Sequence, residues 1–268
     1  MFRHLGVGVL HLGGRVGILI AIASGVVFIS LPIIALIWRT VRDQAWQLPL
    51  DERVPRAIEF SLQTTGISLF IILLFGTPLA YALARWSFPG KHLVNLLIEL
   101  PIVLPPAVAG LGLLVAFGRR GLLGPILDDW FGIRLAFTQA AVVMAQTFVA
   151  FPFYVRTAQI SFREFDPEIE NAAMVDGANR FESFIFVTFP IARRALLSGA
   201  LVSWARALGE FGATIFFAGN LLGRPQTMPL LIYSIFENDV DAATWTALIL
   251  IGIAACAITL ARLLTHTE

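Results

Sequence analysis

Charged side chains are scarce in the apolar part of this sequence, and three of them are its candidates for chemistry. Glu99 lies in one long apolar stretch, whereas Arg206 and Glu210 lie in another, four residues apart on one face of the expected helix. Arg206 falls about 16 Å along that helix from Ala195, near its middle. Its forked, charged guanidinium suits an anion. Alternatively, Arg206 pairs with Glu210 or with Glu99 and fixes the packing of helices.

The composition places these residues in a membrane protein. The chain is 57% hydrophobic and 14% charged, against about 25% charged in soluble domains, which excludes a soluble enzyme, a disordered chain and a nucleic-acid-binding module. Its net charge of +1 provides no field that recruits nucleic acid. Six apolar stretches are long enough to cross a hydrocarbon core of about 30 Å: 16–38, 61–84, 92–117, 136–154, 195–218 and 243–264. The expected fold is all-α, a bundle of about six transmembrane helices.

Several small or helix-breaking residues lie inside these stretches. Three prolines interrupt the third stretch: Pro101, Pro105 and Pro106. They indicate either a broken helix that lines a gate or a kink that fits the bundle. Gly209 and Gly212 flank Glu210, and either let helices of two copies meet or pack closely within one chain. The hydroxyls of Ser203 and Thr214 can contact an anion or water, or bond the carbonyl four residues earlier.

Other catalytic patterns are missing from the sequence. The single lysine, Lys91, follows Gly90 but precedes His92, so no G-x-x-x-x-G-K-[ST] loop is present for ATP. The four histidines have no metal-ligand spacing, and the single cysteine, Cys256, cannot form an intrachain disulfide. The expectation is a chain that is not an enzyme, without catalytic residues, metal or cofactor, so that another chain must bind any ATP and Mg²⁺.

The longest polar connection, about residues 156–194, separates the fourth and fifth stretches and contains a predicted short helix. Asp166 fits its N-cap and Pro167 its first position. Gly177 fits a left-handed residue at its end. The segment suits either a docking surface for another protein or an amphipathic helix at the membrane interface.

This segment resembles the EAA loop of ABC importer permeases, E-A-A-x-x-x-G followed after nine residues by I-x-L-P. The matching positions are Ala172, Ala173, Gly177 and Pro190, with Val187 and Phe189 at the apolar positions. The sequence departs at Asn171, where the family usually has glutamate, and Glu170 is adjacent. In the family, this loop forms coupling helices that dock into a groove of the ATPase subunit. The resemblance implies ATPase coupling through Glu170, Asn171, Ala172, Ala173, Asp176, Gly177 and Pro190.

A second resemblance is to the molybdate branch of type I ABC importer permeases. It rests on segments 100–110, 117–121, 207–214 and 217–220, followed by Arg224, Gln226, Thr227 and Pro229. Tungstate and sulfate permeases share part of this pattern. The resemblance covers about residues 60–265, so we expect one permease domain over 1–268, with a variable N-terminal helix over about 1–55 and a core over about 56–265.

The resemblance implies the membrane subunit of an ATP-driven oxyanion importer that works by alternating access, with molybdate as the first substrate to consider. It would act as a homodimer with two ATPase subunits and an external substrate-binding protein. A tungstate or sulfate permease, an ATP-independent secondary transporter and a membrane-embedded enzyme remain alternatives. The pore residues expected are Glu99, Pro101, Pro105, Pro106, Ser203, Arg206, Gly209, Glu210, Gly212 and Thr214.

The distribution of cations favours an N-terminus on the inner side of the membrane. The segment from Arg85 to Lys91 carries cations and no acid, whereas Glu237, Asp239 and Asp241 make the last outer loop acidic. The position of the EAA loop in the family supports the same orientation. We therefore expect a multi-pass protein of a bacterial or archaeal plasma membrane, with both termini in the cytoplasm.

Overall fold

The computed structural model describes residues 5–220 and 226–266, with side chains over 17–220 and 226–259. Within these ranges the regular secondary structure is helical and no strand is present. The helices are α1 Leu5–Arg42, α2 Val54–Arg85, α3 Lys91–Val103, α4 Pro106–Phe117, α5 Gly124–Phe131, α6 Gln139–Glu164, α7 Pro167–Val175, α8 Arg180–Ser183, α9 Phe189–Leu208, α10 Gly212–Phe217, α11 Met228–Phe236 and α12 Val240–His266. A 3₁₀ turn, Ala45–Gln47, follows α1, and a π-helical turn, Phe184–Thr188, joins α8 to α9. The all-α prediction is confirmed.

Among the described residues, five helical segments are long and apolar enough to cross a membrane, and a bent pair of helices can provide a sixth crossing. The five are Gly17–Arg42, Val54–Arg85, Gln139–Glu164, Arg180–Leu208 and Val240–Thr259. The number agrees with the expected bundle of about six. The first segment buries none of its most apolar window in the chain, whereas more than half of that window is buried in Gln139–Glu164. Helix α6 is therefore the centre of the bundle.

Helix α6 packs against α2 and α9 along most of its length. Gly76 of α2 lets Tyr154 approach, because a Cβ there would lie 2.9 Å from the Tyr154 ring. Gly199 of α9 lets Thr157 approach in the same way, because a Cβ on Gly199 would lie 3.0 Å from the Thr157 Cβ. Buried apolar side chains such as Phe162 fill the space between the three helices. At its other end, α6 packs with α4 and α10 in a second apolar cluster.

The third apolar stretch is divided into two half-helices rather than a kinked span. Helices α3 and α4 are bent by 118° relative to each other, and their 13 and 12 residues measure only about 20 and 18 Å at 1.5 Å per residue. The break falls at Leu104, which is extended, as expected of a residue that precedes proline. Pro105 caps α4 and Pro106 is its first residue. The predicted interruption is present, but the bend far exceeds a kink.

The fifth stretch also differs from its predicted bounds. Its helix begins at Arg180, inside the expected loop, and ends at Leu208. A break at residues 209–211 separates it from the six-residue α10. The expectation of one helix over 195–218 is therefore wrong, because the chain turns at Gly209 and starts a new helix against α4. The connection between the fourth and fifth spans shrinks to residues 165–179.

Candidate functional site

Helix α7 lies in the connection that follows α6, and local signals define both of its ends. The Asp166 carboxylate accepts a hydrogen bond from the Glu168 N–H at 2.9 Å, and Pro167 is the first helical residue. Gly177 follows the helix with a φ of +103°, a conformation that favours glycine. The predicted N-cap, first residue and left-handed end are all confirmed.

The outer face of α7 presents small and apolar side chains. Ala172, Val175 and Gly177 are exposed, and Phe181 in the next helical turn is exposed as well. A Cβ placed on Gly177 would meet no atom of the described residues within 4 Å. Exposed apolar groups in a connection between spans are typical of a surface that another protein covers. This surface, which we call the α7 face, comprises Asn171, Ala172, Val175, Asp176, Gly177 and Phe181.

Glu170 is turned away from the α7 face and joins the helix to the bundle. One carboxylate oxygen accepts hydrogen bonds from Arg85 at 3.1 Å and from Thr188 at 2.8 Å, and the other from Tyr81 at 3.1 Å. The Glu170 and Arg85 side chains are only 12% and 11% exposed. Glu170 therefore links α7 to the end of α2 and to the π-helical turn before α9. Of the other predicted loop residues, Ala173 is partly buried and Pro190 lies in the first turn of α9.

The Arg206–Glu210 pair closes the break between α9 and α10. Arg206 Nη2 lies 2.7 Å from Glu210 Oε2, and Glu210 Oε1 accepts the Ala213 N–H at 2.7 Å. The Glu210 side chain is 1% exposed. Pairing between these two residues, one of the sequence alternatives, is present. They do not share a helix face, since α9 ends at Leu208, and Arg206 lies in the last turn of α9 rather than near its middle.

Glu99 pairs with Arg156 and not with Arg206, the partner that the sequence analysis considered. Its Oε1 lies 2.9 Å from Nη1 of Arg156 on α6, so the alternative of an Arg206–Glu99 pair is wrong. The Arg156 and Glu99 side chains are 42% and 39% exposed. The sequence assigned Arg156 to the polar connection, because a span ending near residue 154 leaves it outside. The structure extends α6 to Glu164 and so places Arg156 inside a span.

The remaining predicted pore residues serve mainly packing within the chain. The Ser203 hydroxyl donates to the Ala150 carbonyl on α6 at 2.8 Å, which is neither of the expected contacts. Thr214 is buried, and its hydroxyl has no hydrogen-bond partner among the described residues. A Cβ on Gly212 would lie 2.7 Å from Pro106, whereas one on Gly209 would meet only the Ala205 carbonyl, at 3.7 Å. Gly212 therefore packs α10 on α4, and Arg224 lies outside the described residues.

A cavity of about 520 Å³ opens beside α3, α4 and α6. Its walls are almost entirely apolar and include Leu97, Pro101, Phe117, Met144 and Phe148. An oxyanion would find no charged partner there. Across the described part of the chain, no three His, Cys, Asp or Glu side chains lie close enough to hold a metal ion.

Comparisons with known proteins agree on one family. The family model of the binding-protein-dependent transport system inner membrane component matches residues 74–266. The molybdenum transport system permease protein ModB of Escherichia coli K12 is 38% identical over 81% of this chain and 91% of its own length. ModB of Mycobacterium tuberculosis is 39% identical over 87% of this chain and 88% of its own length. A chain of a bacterial alginate ABC transporter, in complex with a pentasaccharide-bound periplasmic protein, superposes with a TM-score of 0.72 at 18% identity, over 95% of this chain and 97% of that one.

Proposed function

The chain belongs to the family of binding-protein-dependent transport system inner membrane components, and on that premise we propose that it is the permease subunit of an ATP-driven molybdate importer. The observation that carries the substrate assignment is its similarity to ModB of Escherichia coli, which is 38% identical and is matched over 91% of its length. Transport by a bundle of this kind requires no covalent step in the chain itself.

The proposed assembly contains two copies of this permease, two ATPase subunits and an external binding protein. ATP and Mg²⁺ bind to the ATPase subunits. The protein lies in a bacterial or archaeal plasma membrane, with α7 and both termini on the cytoplasmic side. The α7 face supports the ATPase contact, since Ala172 and Gly177 leave room for a close approach and Val175 and Phe181 are exposed apolar side chains.

Alternating access requires that a push on α7 moves the spans. The bonds of Glu170 provide that mechanical link, because they attach α7 to the end of α2 through Arg85 and Tyr81 and to the start of the fifth span through Thr188. A nearly buried ion pair with two further hydrogen bonds holds its geometry better than an exposed pair. In this scheme, residues of the α7 face contact the ATPase and Glu170 transmits its movement.

The first experiment is reconstitution of the chain with its ATPase and binding protein in liposomes. Uptake of molybdate, tungstate, sulfate and phosphate is measured side by side, with and without ATP. ATP-dependent uptake that is strongest for molybdate supports the proposal. Preference for sulfate or tungstate would change the assigned substrate but keep the class of oxyanion importer. Uptake that does not depend on ATP contradicts the proposal and favours a secondary transporter.

The docking assignment is tested with Gly177→Asp. Among the described residues no atom lies within 4 Å of a Cβ at this position, so the side chain has room, although the positive φ strains the turn locally. The added carboxylate obstructs the ATPase. We expect an inserted protein whose ATP hydrolysis no longer drives uptake. Normal uptake by Gly177→Asp would show that the α7 face is not the docking surface.

The transmission role is tested with Glu170→Gln, and Glu168→Gln is its matched control on the same helix. Glu168 is exposed and its side chain is not part of the link to the bundle. We expect Glu170→Gln to raise the number of ATP molecules hydrolysed per anion several-fold, because the charge that attracts Arg85 is lost. Equal ratios in the two variants would exclude Glu170 as the link.

A further inference from the structure

Polar residues form a stripe on each of two adjacent helices, and the stripes face each other. On α3 the stripe has a spacing of four residues: Lys91, Asn95 and Glu99. On α6 it contains Arg156 and Gln159. Gln159 Nε2 donates to Asn95 Oδ1 at 3.0 Å, and Arg156 Nη1 lies 2.9 Å from Glu99 Oε1. We call the four contacting residues, Asn95, Glu99, Arg156 and Gln159, the polar seam.

The polar seam rises from the α7 side of the bundle into the depth of the spans. Glu99 lies eight residues from the start of α3, and Arg156 lies eight residues from the end of α6. Both ion-pair partners are therefore about 12 Å along their helices from the α7 side. The bend between α3 and α4 follows Glu99 within about one helical turn, at the end of α3 that is farther from α7. The seam thus connects the α7 side with the broken part of the bundle.

The exposure of the ion pair indicates what surrounds it. About two fifths of each side chain, 42% for Arg156 and 39% for Glu99, is accessible. Charged groups at this depth face a bundle interior or a water-filled space, because contact with lipid tails is costly. The opposite side of α3 behaves differently, since Leu97 is 57% exposed and lines the apolar cavity. The accessible side of the ion pair therefore faces water or the interior of the assembly rather than lipid, whereas the Leu97 side faces apolar groups.

The Arg156–Glu99 contact leaves the guanidinium available to an anion. Its closest approach joins Nη1 to Glu99 Oε1, and even a bidentate carboxylate occupies two of the five N–H donors of a guanidinium. A tetrahedral oxyanion can therefore engage the remaining donors, or replace the carboxylate. A nearby carboxylate also weakens anion binding, and passage through a pathway requires weak binding.

We propose that Arg156 is a transient contact for the transported oxyanion on the α7 side of the membrane, and that Glu99 is its counter-ion when no anion is present. The inference rests on the function proposed above and adds a residue to its pathway. It moves the anion contact from Arg206, whose partner is buried, to Arg156, whose surroundings are open.

The first test measures whether water reaches the polar seam, and it does not depend on the substrate. In a Cys256→Ser background, a charged methanethiosulfonate reagent is applied to Arg156→Cys/Glu99→Gln and to Leu97→Cys. Glu99→Gln removes the carboxylate that Arg156→Cys would leave unpaired. We expect the cysteine at position 156 to react at least tenfold faster than the one at 97. Equal or slower modification at position 156 would overturn the inference.

The second test uses the reconstituted complex with molybdate. Arg156→Gln should lower the maximal rate of uptake about tenfold, while the concentration of loaded binding protein that gives half-maximal uptake stays the same. Arg156→Lys, which keeps the charge, should recover part of the rate. Uptake by Arg156→Gln at the wild-type rate would overturn the inference.

The third test measures how much molybdate the complex retains in the Glu99→Gln variant. Without its counter-ion, Arg156 should retain the anion longer, so radiolabelled molybdate bound to the purified complex should increase several-fold. A residue that served only packing would not produce this increase, and retention equal to wild type contradicts the inference. If the wild-type complex shows no ATP-driven uptake of any oxyanion, the proposed function itself fails, which is a different result from normal uptake in Arg156→Gln.

Discussion

The two Arg–Glu pairs inside the bundle have nearly the same contact distance but different surroundings. The distance from the guanidinium nitrogen to the carboxylate oxygen is 2.7 Å for Arg206 and Glu210 and 2.9 Å for Arg156 and Glu99. Glu210 is 1% exposed, whereas Glu99 is 39% exposed. Glu210 also accepts the Ala213 N–H and so holds the start of α10. The first pair completes the fold, while the second is accessible to a ligand.

Charge and spacing do not by themselves identify a binding residue in a membrane protein. A buried carboxylate that already contacts an arginine and accepts a backbone N–H is closed to a substrate, and removing its partner leaves an uncompensated charge. A half-exposed pair loses little when it opens, because water or an anion can replace either partner. Substitution in the buried pair should therefore cost much more stability than substitution in the accessible pair.

The largest expected effect is that of Glu210→Ala. It leaves Arg206 without its partner and the Ala213 N–H without its acceptor, and we expect a loss of about 3–5 kcal/mol in the free energy of unfolding. Thermal unfolding of the purified chain in detergent measures it. Glu99→Ala is the control at the open pair, and equal losses in the two variants would break the comparison.

The double variant Arg206→Gln/Glu210→Gln sharpens the same result. Neutral amides remove the unpaired charge and can still hydrogen-bond across the break, so we expect more than half of the stability lost in Glu210→Ala to return. If the double variant is also active in uptake, the pair serves structure alone. Stability no better than that of Glu210→Ala would mean that the charges themselves are required.

Gly110→Ala is expected to have the next largest effect, since it displaces the element that Glu210 caps. A Cβ on Gly110 would lie 2.5 Å from the Ala213 carbonyl oxygen, so α4 and α10 must separate. We expect this separation to lower the free energy of unfolding by about 1–3 kcal/mol. Gly112→Ala is the matched control on α4, because in the described part of the chain no neighbouring atom lies within 4 Å of its Cβ position. It should be neutral or slightly stabilising. Equal loss in both variants would contradict the close contact.

Arg156→Gln should affect stability less than either of these changes. Its pair is accessible on one side, so we expect a change below about 1 kcal/mol in the free energy of unfolding, measured in the same detergent. The prediction separates function from folding, because the same variant is expected to slow uptake. A loss above about 2 kcal/mol would place this pair with the structural one.

The smallest expected effect concerns the partly exposed Asp51–Arg53 pair before α2. The Arg53 side chain hydrogen-bonds to Asp51 and lowers the pKa of that carboxyl below its ordinary value of 3.8. The pair therefore stabilises the fold above that ordinary value, and the contribution is lost as the pH falls through the lower folded-state pKa. Asp51→Asn should reduce the loss of stability on acidification below about pH 4. Glu52→Gln is the control, and identical acid unfolding of Asp51→Asn and wild type would contradict this contribution.

The sequence determined those features that contiguous residues encode. The length of the apolar stretches predicted the bundle of about six spans, because lipid requires helices of that length. Asp166, Pro167 and Gly177 predicted the ends of α7, because caps act within one turn. The prolines near residue 105 predicted an interruption, because they lack the N–H that a helix needs.

Contacts between distant residues depend on the packing of whole helices. That packing selected Arg156 rather than Arg206 as the partner of Glu99, turned Glu170 toward Arg85, and bent α3 and α4 by 118°. Gly212 faces Pro106 in the same chain for the same reason. Such contacts depend on how whole helices pack across the bundle, and no spacing within a single helix specifies them. The local signals therefore located the elements, and their packing decided which charges are closed off and which remain accessible.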